Sequence, residues 1–253
     1  MADVSVTFER LTEVGVDSPT LIEGFPGFGL VAAIAVEQIT DQLDLDHHGN
    51  IVSESFPSVL SYRDGRAREL VRVYSGAEHG VMTLQSDLVL PPSAFDALSE
   101  SVHEDLAAEF DRAIFLAGAP ARTDAEVGSV SAIATGDELA ADLRDAGIEF
   151  ATGDGLIGGI TGALATDCYR TDVPAAVLVV RTDPYLPDPG AARSVIEDAL
   201  EPLVDFDIDT AELDAQSREI RAEMEYLAEQ YQQVMEQAHG QPPSERPATG
   251  MFQ

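Results

Sequence analysis

The residues best placed to do chemistry lie in two glycine-rich stretches, each set between an apolar run and a helix-like one. The first spans Thr20 to Gln38, with Glu23 closing a short apolar run and Gly24, Gly27 and Gly29 surrounding Pro26. The second spans Thr152 to Thr166 and holds Gly153, Asp154, Gly155 and Thr161. Bare backbone between a strand and a helix can cradle a phosphate on the helix amides. Glu23 and Asp154 could also share one pocket mouth at the carboxyl ends of strands, where two carboxylates could do acid–base work. Gly27, Gly29 and Ala32 formally match a dinucleotide fingerprint, but Pro26 sits inside the turn and no acid closes an evident second strand. The chain contains no lysine, which excludes a Walker-type phosphate loop. The first stretch therefore reads as a tight turn packing helix on sheet. The second is the better ligand loop, with Asp154 or Thr161 beside exposed amides, and close packing is its plain alternative.

Other chemistry is thin. No nucleophile elbow, His-Glu-x-x-His pair or spaced metal-ligand set is present. His47 and His48 fall in a polar stretch, Asp44 to Asn50, that reads as a solvated turn. Cys168 is the single cysteine and reads as a small core residue. No catalytic constellation is visible and no cofactor or metal is expected, which leans against an enzyme and leaves that question open. The competing reading is an enzyme or nucleotide/nucleoside binder using the glycine-loop pocket.

The elements that position these stretches follow from periodicity. Val4, Val6 and Phe8 alternate as a half-exposed strand, and Leu21 to Glu23 form a buried one before a helix from Leu30 to about Leu43. Glu69–Tyr74 and Gly80–Gln85 read as a hairpin. A helix follows Pro91, with Ser93 as its cap and Leu98, Val102, Leu106 and Phe110 on one face. Ala113–Gly118 and Ala175–Val180 are short continuous apolar runs of the kind buried on both faces. Helices are expected over Asp137–Ala146 and Ala191–Leu200. This alternation predicts an α/β domain over residues 1–210, with a mainly parallel sheet and helices on both faces.

The remainder is different. Leu213, Ile220, Leu227 and Val234 recur every seven residues, with Ser217, Met224, Tyr231 and Ala238 at the second seam position. A heptad helix over 211–238 is expected, roughly 40 Å long. It could pack on its own globular body or on a long helix of a second subunit. Residues 239–253 form a Pro/Gly spacer ending in Met251, Phe252 and Gln253.

Charge is the loudest compositional signal: 46 acidic residues against 14 basic ones give −32, while the apolar fraction stays at 45%. An acidic, lysine-free surface over an ordinary core fits a salty cytoplasm, where molar salt screens charge within about 3 Å. No basic patch exists to offset phosphates, so direct nucleic-acid binding is disfavoured. Neither a leader nor a membrane-length run is evident, and a cytoplasmic location is expected.

The run from Leu21 to Val31 resembles the opening signature of the archaeal proteasome assembly chaperone 2 family. Asp154 to Leu164, and Ala175 to Thr182 with the loop Asp183 to Gly190, resemble its later segments. The resemblance implies a three-layer fold of the phosphorylase/hydrolase-like kind, a homo-oligomer, and a non-enzymatic role at the proteasome core particle. It also implies that Met251, Phe252 and Gln253 stand where proteasome-docking relatives carry a hydrophobic–tyrosine–any tripeptide that inserts between α-ring subunits. Here phenylalanine replaces tyrosine, so the phenol hydrogen bond is lost while the ring is kept.

Overall fold

A computed structural model describes residues 6–13, 19–220 and 222–224. In chain order the elements are β1 (Val6–Arg10), β2 (Thr20–Gly24), α1 (Val31–Gln42), β3 (Asp46–Ser53), β4 (Ser61–Arg63) and β5 (Arg66–Arg68). Then come β6 (Val71–Gly76), β7 (Val81–Ser86), α2 (Phe95–Ser101), β8 (Arg112–Pro120), β9 (Val130–Ala134) and α3 (Asp137–Asp145). The series closes with α4 (Gly159–Arg170), β10 (Ala175–Thr182) and α5 (Pro189–Val195), whose helical path continues through Leu203.

Eight strands form one sheet in the order β1-β3-β6-β7-β2-β8-β10-β9, and β4 and β5 make a separate hairpin. The middle, β7-β2-β8-β10, is parallel. The flanks are antiparallel: β1 to β3, β3 to β6 and β6 to β7 on one side, and β9 to β10 on the other. The sheet is thus mixed, not mainly parallel. The cause is connection length, since a turn as short as 77–80 between β6 and β7 can only reverse the chain, whereas parallel neighbours need a long crossover.

Period-two alternation in the central strands splits the core into two layers. Ile22, Val81, Ile114 and Leu178 face α1, α3 and α5, through Val36, Leu143 and Val195 among others. Their strand neighbours Leu21, Met82, Phe115 and Val177 face α2 and α4, through Leu98 and Leu164. Burying each such side chain stabilises by about 2 kcal/mol, which makes the four central strands the rigid frame of the molecule.

Two local expectations change. His47 and His48 lie on β3 rather than on a solvated turn. The His48 ring is buried between the Thr12 carbonyl at 2.7 Å and the Glu109 carboxylate at 2.8 Å. His47 bonds Asn50 at 2.8 Å and stacks on Tyr74. Ser93 falls inside a 3₁₀ turn, Pro92–Ala94, and the residue preceding α2 is Ala94, with no side-chain cap.

The chain is helical again over 211–220. Gln38 and Gln42, on the last turns of α1, bond the Asp209 backbone. Thr210 then bonds Glu197, and Asp214 lies 3.8 Å from Arg193, four residues earlier on α5. The helix therefore runs antiparallel to α5, towards the sheet end where β2, β8 and β10 finish. Leu213 and Ser217 are buried against the body, Ile220 is partly buried, and Met224 is exposed. Leu227, Tyr231 and Val234 lie outside the described residues, as do the spacer and Met251, Phe252 and Gln253.

Candidate functional site

The carboxyl ends of β2, β8 and β10 are drawn together by glycines. A Cβ on Gly24 would sit 2.5 Å from the Val36 side chain, so its absence lets α1 lie close on β2. Gly29 has φ of +64, and a Cβ there would meet the Thr182 hydroxyl at 2.1 Å. Its carbonyl accepts from the Asp188 amide at 2.8 Å, while the Asp188 carboxylate caps α5 through Ala191 and accepts from Thr182 at 2.9 Å. Gly118 passes the Phe28 carbonyl, which a Cβ would approach to 2.2 Å. The turn after β2 is thereby fixed against β8 and β10, with Leu30 held left-handed at φ of +50 as α1 begins.

Beneath this turn lies Glu23, wholly buried at the end of β2. Its carboxyl accepts from the Phe25 amide at 2.9 Å, and the Thr161 hydroxyl on α4 lies 3.3 and 3.4 Å from its two oxygens. Burial pushes its pKa from 4.5 to about 8, and the bonds from Phe25, Thr161 and the Leu116 backbone counter that only in part. Glu23 is therefore mostly protonated at neutral pH. It ties α4 to β2 and does not present a charge to solvent.

Above it opens a cleft of about 620 Å³, lined by Phe25, Phe28, Leu90, Phe95, Leu156 and Ile157 together with the glycine and proline backbone of the surrounding turns. No lining residue carries a charge, and Thr161 is the one polar side chain. Such a surface can bury an apolar group and offer it a few backbone amides and one hydroxyl. It holds no paired carboxylates and no nucleophile–base couple. Cys168 stands apart, partly buried, its thiol pushed up to about 12 by burial and so protonated. Among the described residues no group of three His, Cys, Asp or Glu could hold a metal ion, and no helix is long and apolar enough to cross a membrane.

The pattern that defines the PAC2 family matches residues 21–228. The chain belongs to the PAC2 family. A relative from Methanocaldococcus jannaschii, the uncharacterized protein MJ0106, is 25% identical over 239 residues, covering 94% of this chain and 98% of its own. The PAC2 fold is shared with the crystal structure of Pyrococcus furiosus PbaA, described as an archaeal homolog of proteasome-assembly chaperone. The TM-score is 0.80 at 24% identity, over 93% of this chain and 96% of that one. Pyrococcus furiosus PbaB, described as an archaeal proteasome activator, matches with TM-score 0.79 at 18% identity, over 88% and 99%.

Within this PAC2 frame the residues picked out by sequence part company. Glu23 and Thr161 meet, and Gly27 and Thr161 line the same cleft. Gly29 is buried in packing. Asp154 and Gly155 are exposed and line no part of the cleft, so Glu23 and Asp154 do not form a pair at its mouth. The residues that sequence reasoning missed are the apolar ones: Phe28, Val89, Phe95 and Leu156. The signal for Leu156 was an uncharged run, Leu156 to Ile160, leading into α4 in a chain of net charge −32.

Proposed function

We propose that this PAC2 protein is a non-enzymatic partner of the proteasome core particle, either an assembly chaperone-like factor or an ATP-independent activator. In this reading it docks on the α ring through Met251, Phe252 and Gln253. Family membership over residues 21–228 carries the reading. The shared fold with PbaA and PbaB supports it.

In the same reading, a heptad helix over 211–238 assembles or orients subunits into a homo-oligomer. Its first heptad is already used by its own body, because Leu213 and Ser217 are buried there, while Met224 is exposed. The seam from Ile220 onward is thus the part left for a second helix. Residues 239–250 give the tripeptide a coil reach of roughly 20 Å. Several tails on one oligomer would add avidity, so each contact can be weak. The acidic, lysine-free surface suits a salty cytoplasm, and the interaction belongs in high salt.

Deleting residues 251–253 is expected to abolish co-sedimentation with the core particle in molar salt. Undiminished co-sedimentation of the truncated chain would overturn the docking reading.

A further inference from the structure

The cleft above Glu23 is an apolar surface on a very acidic protein. Phe28, Val89 and Leu156, all on its rim, are 51%, 64% and 99% exposed. Contiguous apolar surface of this kind is a place where something binds, and high salt strengthens the drive to cover it. Its backbone says the same. Gly27 (φ −146) and Gly158 (φ −107) have conformations open to any residue, and a Cβ on either would meet nothing within 4 Å. Neither packing nor dihedral angle asks for glycine at these two positions. Bare backbone at these two helix-start positions leaves room for close approach of an occupant.

We propose that the occupant is the Met251–Phe252 pair of this same chain, parked in the cleft when it is not docked elsewhere. The helix beginning at 211 runs towards the cleft end of the sheet, so the chain leaves the described body on the right side. If 225–238 continue as helix they add about 21 Å. The 12 residues 239–250 span up to about 40 Å when extended, enough to run back along that length. Those residues contain no side chain more apolar than alanine or proline, which leaves Met251 and Phe252 as an isolated apolar pair. Glu245 and Arg246 cancel, so the segment is not repelled by the acidic body. As a means of regulating core-particle docking, parking rests on the function proposed above; occupancy of the cleft does not.

The chain has no tryptophan, so Phe252→Trp creates a sole reporter. Blue-shifted emission and several-fold protection from acrylamide quenching are expected in the full chain. Both should be lost when Val89→Asp and Leu156→Asp, at exposed positions that folding does not need, are added. Solvent-like emission from Phe252→Trp, or a blue shift that survives the two aspartates, would overturn the proposal. A shift that grows with protein concentration would also overturn it, by assigning the cleft to a second copy. Co-sedimentation separates the two ideas. Core binding several-fold stronger in the two-aspartate chain supports parking as regulation, whereas a buried reporter with no core binding removes docking and leaves parking standing.

Discussion

The two glycine-rich entries into α1 and α4 look alike in sequence and differ in what their glycines do. At the first, Gly24 and Gly29 are demanded by contact: a Cβ would lie 2.5 Å from Val36 and 2.1 Å from Thr182. At the second, Gly153, Gly155, Gly158 and Gly159 would each place a Cβ in open space, and only Gly162, inside α4, is pressed against the Ile157 carbonyl at 2.3 Å. The first turn spends Gly24 and Gly29 on distance between layers; the second spends Gly153 and Gly159 on positive φ, +78 and +70, and leaves Gly155 and Gly158 as bare backbone that neither contact nor φ requires. Gly29→Ala tests the first half of that contrast hardest, because it adds a clash to a left-handed φ. A loss of about 3–5 kcal/mol in denaturant unfolding is expected, from overpacking and backbone strain together. A loss below 1 kcal/mol would mean the turn can relax, and the contrast would be false.

Glu23 extends the comparison from backbone to charge, since it belongs to the first turn and Asp154 to the second. The buried carboxyl, with its pKa raised from 4.5 to about 8, holds a proton that the unfolded chain gives up. Its contribution to stability is fully present below about 4.5 and is lost as pH rises through about 8. Within that window the slope is about 1.4 kcal/mol per pH unit. Glu23→Gln has no proton to lose, so its stability relative to the parent should rise with pH by about that slope. Parallel curves for Glu23→Gln and the parent would show that Glu23 is ionised and solvated in the folded chain.

How much of this could be read from the sequence depended on how local each cause is. The central strands were legible because Ala113–Gly118 and Ala175–Val180 are continuous apolar runs, which only double-sided burial explains. Of the heptad positions, Leu213 and Ser217 are buried against the body, and those beyond Met224 lie outside the described residues. Of the antiparallel flanks, the β6–β7 hairpin was legible in Glu69–Tyr74 and Gly80–Gln85, but β3 was not, because it gets its place from β1 and β6 and not from its own residues. His48 shows the mechanism. Two histidines beside Gly49 and Asn50 look like a turn, and what makes them strand is Glu109, 61 residues away, with Tyr74. Glu23 carried a legible warning, a carboxylate ending a buried strand. Its partner Thr161 lies 138 residues on, in a loop–helix whose apolar rim, and not Asp154, forms the site.

The smallest effect bears on the second turn. Gly155 is exposed, its φ is not among the positive ones, and a Cβ there would touch nothing. In the folded chain Gly155→Ala should therefore cost nothing, while in the unfolded chain the new side chain removes conformations that folding must otherwise surrender. The expected outcome is a gain of about 0.4–1 kcal/mol, opposite in sign to Gly29→Ala, measured by the same unfolding titration. A loss above about 1 kcal/mol would require a steric reason for glycine in the open loop. The two turns would then be the same device used twice, and the bare backbone along the cleft would owe its glycines to packing and not to whatever the cleft receives.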